Sequence, residues 1–263
     1  MRLIEVTEES RTKKLSEDDF LWKSTSQIKL GIDKYKEGFY ITRALRKIET
    51  EGESSILLSN PLNTNRISTT GLQYYTWLID ESPYWGDYPK RNKSLICSSS
   101  IYNTYNESLY VVLPMGNPTI GICDEGDIWD SFNYLQDIGI KSLHVFNVIM
   151  TYIFDNQTPP INDRSIKTFE QFADAVSNIK PFDYVISDRV SQERYDTIVT
   201  KWTNMPNLLD YLFKIFKPEI NGFTKTDLSS YSLSNVKQEV WFSTPAVLIK
   251  KGLLDDYIDN DMV

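Results

Sequence analysis

Between residues 95 and 123 the chain turns apolar in short bursts: Leu95-Ile96-Cys97, then Leu109-Tyr110-Val111-Val112-Leu113, then Ile120-Gly121-Ile122-Cys123. Bursts this short, bounded by serines, by Pro114, Gly116 and Pro118, and by Asp124-Glu125, predict three strands. A further strand is predicted over 38–45. Two late ones are predicted over 239–243 and 246–249, and Pro245 between them rules out a single unbroken central strand. Ser16 followed by Glu17-Asp18-Asp19 reads as an N-cap with an acidic first turn. It predicts an N-terminal helix over about 16–37 that stops at Gly38.

The middle of the chain changes period. Ile128, Phe132, Leu135, Ile138, Leu143, Phe146, Ile149 and Ile153 fall at helical spacing, which predicts one or two helices over 127–154 with a break at Gly139. Phe169–Ile179 and Leu208–Phe216 predict two more helices, with a short strand at 184–186 between them. Gln73–Leu78 reads as a short aromatic helix. Residues 49–71 are polar and turn-rich and read as a surface loop, and the acidic end, 255–261, as a frayed solvated tail. Strands early, helices in the middle and strands late predict a single α+β domain over 1–263, with a helical insertion over about 126–217.

Composition narrows the function classes. The 263 residues are 41% hydrophobic and 13% aromatic, enough for a sizeable core and against wholesale disorder. A net charge of −8 argues against broad nucleic-acid binding, which relies on Lys and Arg neutralising phosphates. Pro89-Lys90-Arg91-Asn92-Lys93 stands out as a local basic patch. Cys97 and Cys123 are the only cysteines and form no CxxC pair, so no zinc site is expected. The N-terminus lacks an apolar h-region and no run approaches 18 apolar residues, which predicts a cytoplasmic protein with no membrane partner.

Several familiar chemistries are closed. His144 is the only histidine and sits between Leu143 and Val145 in a predicted helix, where packing or solvent exposure explains it without ligands. There is no GxGxxG, no GxxxxGK[ST] and no GxSxG. Asp124, Glu125, Asp127 and Asp130 read as acids at the start of a helix.

Three pieces remain: Arg43 on the early strand, Ser98-Ser99-Ser100 closing a middle strand, and Glu239 opening a late strand in "KQEVWFS". In this order they resemble the Arg-Ser-Glu pattern of mono-ADP-ribosyltransferases. That family carries an arginine on its first core strand, a Ser-Thr-Ser-like motif, and an [EQ]-x-E motif starting a later strand. The stretches "YPKRNKSLICSSS", "SLYVVLPMGNPTIGICDEGDIWDSF" and "QEVWFSTPAVLI" are similar to ART-like proteins of phages and bacteria. The likeness touches about half of the chain, chiefly 38–132 and 236–250.

The resemblance implies two packed, mainly antiparallel sheets with flanking helices, and NAD as substrate with no metal. It also implies transfer of ADP-ribose to a macromolecular acceptor, protein first and nucleic acid as the alternative; phage origin would place the reaction in bacterial cytoplasm. Glu239 would stabilise the oxocarbenium-like ribose, Ser98 would orient Glu239 by a hydroxyl hydrogen bond, and Ser99 and Ser100 would line the cofactor cleft. Arg43 would grip the pyrophosphate, a role for which Arg46 and Arg66 compete.

Lys237 stands where the family has Glu or Gln, two residues before Glu239. This departure puts arginine-directed transfer in question and leaves Lys237 and Gln238 as the acceptor-side residues. The loop over 221–236 would meet the acceptor. The same departure favours a catalytically idle module of this fold, and a NAD glycohydrolase using water is the third reading.

Overall fold

The computed structural model of the chain describes residues 12–46, 55–63, 65–66, 72–100, 107–162, 165–181, 193–232 and 237–263. Its backbone groups into two compact units. One comprises 1–69, 87–128 and 223–263; the other comprises 70–86 and 129–222.

The first unit is built on strands β1 (Thr12–Lys14), β2 (Thr42–Arg46), β3 (Ile56–Ser59), β4 (Leu95–Ser98), β5 (Glu107–Pro114), β6 (Thr119–Cys123), β7 (Phe223–Asp227), β8 (Glu239–Phe242) and β9 (Ala246–Lys250). They form one sheet in the order β1-β3-β9-β5-β2-β4-β8-β6-β7. The described pairings are antiparallel. The fold is therefore α+β, but the two packed sheets expected from sequence are one continuous sheet. Its continuity runs through a single pair at the centre, Thr42 opposite Ser98, while the other edge of β2 pairs along its whole length with β5.

Alternation along the strands sorts the core. One cluster takes Leu45, Leu57, Cys97, Tyr110, Val112, Ile122, Val240, Phe242 and Leu248. The other takes Val111, Leu113, Val247 and Ile249 under the helices α1 (Glu17–Ser24), α2 (Lys29–Lys36) and α9 (Lys251–Asp259). The helix expected over 16–37 is thus two, α1 and α2, with Ser16 capping α1 through a hydrogen bond from the Asp19 amide. The frayed tail expected at 255–261 is α9, whose Leu254 and Tyr257 are buried against Phe20 and Val111 in the second cluster. The predicted surface loop contains β3, whose Ile56 and Leu57 are core. The predicted acceptor loop contains β7.

The second unit is helical: α3 (Tyr74–Asp80), α4 (Asn133–Asp137), α5 (Leu143–Asp155), α6 (Phe169–Ser177), α7 (Glu193–Thr203) and α8 (Leu208–Ile215). The break at Gly139 separates α4 from α5, and Gly139 takes φ 96°, the left-handed region glycine adopts readily. His144 lies on the exposed side of α5. The strand expected at 184–186 lies outside the described residues. Among the described residues no helix is long and apolar enough to cross a membrane.

Candidate functional site

Residues directly opposite in antiparallel strands share a face of the sheet, and neighbours along a strand do not. Thr42 faces Ser98, Ser98 faces Glu239, and Glu239 faces Cys123. These four side chains form a row on one face, running across β2, β4, β8 and β6. Arg43 pairs with Tyr110 and lies on the other face. The sequence reading put Arg43 beside Ser98 and Glu239; the structure brings only the serine and the glutamate together. Arg43 instead donates from Nη1 to the carbonyl of Ile96, a strand β4 carbonyl close to where β2 and β4 part.

Glu239 is held from three directions. Its Oε1 stands 2.8 Å from Nη2 of Arg91, with side-chain exposures of 12% for Glu239 and 0% for Arg91. Its Oε2 is reached at 3.5 Å by the amide of Ile128. Its own amide donates to the Glu125 carbonyl at 3.0 Å. The predicted basic patch at 89–93 thus contains a fully buried guanidinium committed to Glu239. The guanidinium carbon of Arg91 also lies 4.9 Å from the Trp241 ring centroid, a cation–π distance.

Trp241 follows Glu239 by two residues and therefore shares its face. Its indole is fixed by a 2.9 Å hydrogen bond from Nε1 to the Pro89 carbonyl and by edge contact with Phe223. It also needs Gly121 opposite: a Cβ on Gly121 would lie 2.2 Å from Trp241 Cε2, an impossible approach. Gly121, Trp241, Arg91 and Glu239 form one packed stack.

The segment 123–128 wraps the start of β8. Cys123 Sγ donates to the Glu125 carbonyl at 3.4 Å, and Asp124 Oδ1 accepts from Gln238 Nε2 at 2.9 Å. The acids at 124 and 125 therefore tie down β8 rather than open a helix. Lys237 is exposed, and its methylenes lie over Gly126, 3.2 Å from where a Cβ there would stand.

The serines divide. Ser98 Oγ and Ser100 Oγ are 3.1 Å apart, and Thr42 Oγ1 donates to the Ser100 carbonyl at 2.6 Å. The hydroxyl bond expected from Ser98 to Glu239 is replaced by this serine pair on one side and Arg91 on the other. Ser99 extends the ladder: its amide donates to the Gln238 carbonyl and its Oγ accepts from the Gln238 amide, both at 2.9 Å.

Gln238, expected on the acceptor side, is buried. The Tyr231 hydroxyl donates to Gln238 Oε1 at 3.4 Å. Burial pushes the Tyr231 phenol up, partly offset by its hydrogen bond with Ser99. Arg66, the other described candidate for the phosphate role, donates its amide to the Asn92 carbonyl at 2.7 Å; the side chain of Arg46 lies outside the described residues.

The residue that sequence reasoning missed is Arg91. A signal existed: Glu239 and Trp241 alternate on one face of a strand whose other face, Val240 and Phe242, is core. A carboxylate there, if buried, is stabilised by a paired cation. Among the described residues no group of three or more His, Cys, Asp or Glu could hold a metal ion. Comparison with protein-family models, with curated proteins and with solved structures returned no match.

Proposed function

We propose that the chain is a NAD-dependent mono-ADP-ribosyltransferase whose working carboxylate is Glu239. The observation that supports this is the direct cross-strand pairing of Ser98 with Glu239, on the two strands where the sequence motifs predict a serine and a glutamate to meet. Oε1 faces Arg91, and among the described residues Oε2 is reached by the Ile128 amide at 3.5 Å, so this reading gives Oε2 to the ribose.

In this reaction the ribose C1′–nicotinamide nitrogen bond breaks and the electron pair leaves with nicotinamide. A carboxylate beside the ribose stabilises the resulting positive charge and accepts from its 2′-hydroxyl. An acceptor nucleophile then bonds to C1′ and loses its proton. Arg43 has no part in this version, since it lies on the opposite face.

The test is nicotinamide release from NAD by the purified chain, with labelled ADP-ribose traced into a bacterial lysate. Glu239→Gln is expected to lower turnover about 10²- to 10³-fold, the range for loss of one electrostatic stabiliser. Unchanged turnover would remove Glu239 from the mechanism.

A second reading has its own support. Arg43 on the far face and a carboxylate occupied by a buried guanidinium favour a non-catalytic binding or structural module of the same fold. No heat of binding with millimolar NAD in calorimetry selects that reading, and nicotinamide release without a labelled macromolecule selects a glycohydrolase.

A further inference from the structure

We infer that Arg91 is a positioning residue for Glu239. This rests on the proposed transferase reading for its kinetic consequence, but not for its structural one. Arg91 is wholly buried, and two side chains of β8, Glu239 and Trp241, hold it. Glu239 Oε1 stands 2.8 Å from its Nη2 as an ion pair, the Trp241 ring lies 4.9 Å from its guanidinium carbon, and the Trp241 Nε1 hydrogen bond returns to Pro89, two residues before Arg91. Gly121 leaves the space that seats the indole.

A planar guanidinium is a more rigid partner than an ammonium, and this one, buried and 4.9 Å from the Trp241 ring centroid, brings Nη2 to 2.8 Å from Glu239 Oε1. The ion pair on Oε1 and the Ile128 amide on Oε2 together favour one rotation of the Glu239 carboxylate. Oε1 points inward to the cation and Oε2 is left toward the Ile128 amide and any ligand. Lysine in the same place would keep the charge and lose the fork. Glutamine would lose the charge and leave the carboxylate able to turn.

The experiment compares wild type, Arg91→Lys and Arg91→Gln, each confirmed folded by its thermal transition. The first readout is independent of activity. In glutamate-labelled protein, the Glu239 side-chain carboxyl carbon is assigned by its loss in Glu239→Gln. It is expected as one sharp resonance in wild type, and shifted or split in both Arg91 variants.

The second readout is the kinetic split. Misaiming a reacting group is expected to lower kcat by about 10²-fold in Arg91→Gln, with KM held within about twofold and partial recovery in Arg91→Lys. A purely structural arginine would lower the melting temperature and leave kcat within about twofold.

An unchanged Glu239 resonance in a folded variant overturns the inference, as does unchanged kcat in an active protein. If wild type releases no nicotinamide, the transferase reading falls, and the carboxyl resonance alone decides the role of Arg91. If Arg91→Gln does not fold, Arg91→Lys carries both readouts.

Discussion

Gly121 and Trp241 lie opposite one another across β6 and β8, and the indole fills the space that any side chain at 121 would need. Close packing leaves no slack for a methyl group there, because the indole is pinned by Pro89 and backed by Phe223. Gly121→Ala is expected to destabilise the chain by about 3 kcal/mol, the upper part of the overpacking range. Denaturant unfolding measures it. A loss of unfolding free energy below about 0.5 kcal/mol, the size of an ordinary surface change, would mean the indole is free to move.

The Arg91–Glu239 pair makes a separate stability prediction. Removing one member strands a charge in the interior, so Arg91→Met alone is expected to cost about 3–5 kcal/mol. Removing the second charge as well should recover much of this, because an uncharged pair has no desolvated ion to support. Chemical denaturation of Arg91→Met and of Arg91→Met with Glu239→Gln tests it. A double variant that loses the sum of its parts would contradict the coupling.

Tyr35, Asp255 and Lys251 join α2 to α9. The Tyr35 hydroxyl donates to Asp255 Oδ1 and the Lys251 ammonium to Oδ2, both at 2.6 Å. Burial alone would raise the Asp255 carboxyl, but the bonds from Lys251 and Tyr35 outweigh it and hold it below the usual carboxylate range. Burial first, then Asp255, pushes the Tyr35 phenol up. Burial and then Glu17 push Tyr257 up to about 12.

The signs follow from proton binding. The Asp255 contribution is complete above the ordinary value of 3.8 and is lost as pH falls through its lower folded value. The tyrosine contributions are complete below the ordinary value of 10.0 and are lost as pH rises, for Tyr257 toward about 12. Tyr35→Phe is therefore expected to cost about 1 kcal/mol near neutrality, reduced by the partial exposure of Asp255, and to flatten both limbs of the melting-temperature profile. Tyr257→Phe should flatten the alkaline limb only. An unaltered profile in Tyr35→Phe would rule out the clasp.

In the helical unit, Asn221 is buried and fully used. Its Nδ2 donates to the carbonyls of Ile215 and Lys217, each at 2.8 Å, and its Oδ1 accepts from the Tyr134 amide at 3.1 Å. It satisfies the open carbonyl of Ile215 at the end of α8 and that of Lys217 just beyond it, and it anchors the first turn of α4. Asn221→Asp puts an acceptor where two donors are needed. A loss of about 2–3 kcal/mol is expected, read as a lower thermal midpoint. Asn221→Asp with wild-type stability would show that these carbonyls have another partner.

Much of the fold was legible along the chain. β4, β5, β6, β8 and β9 are apolar enough, and α5 and α6 well enough capped, for local pattern to mark them: Ser142 accepts from the Val145 amide, and Thr168 with Gln171 forms a reciprocal capping box. β3 and α9 were not legible. Four residues, Ile56–Ser59, carry too few alternations inside a polar stretch. The acidic run of α9 hides Leu254 and Tyr257, whose burial comes from a sheet face far away in sequence. Arg91 was hard to read for a sharper reason: its neighbours along the chain do not distinguish a buried guanidinium from a solvated one, and the one hint lay far away, in the Glu239 carboxylate on β8.

By itself, then, the sequence determined most of the strands and helices that carry strong local pattern, where many of them end, and that a serine and a glutamate lie at the ends of strands. Tertiary structure alone decided faces and partners. Side chains alternate with a period of two, so a strand shifted by one residue turns every side chain to the other surface. Thr42 rather than Arg43 sits opposite Ser98, and that single step carries Arg43 away from Glu239 while β8 turns Glu239 toward Arg91.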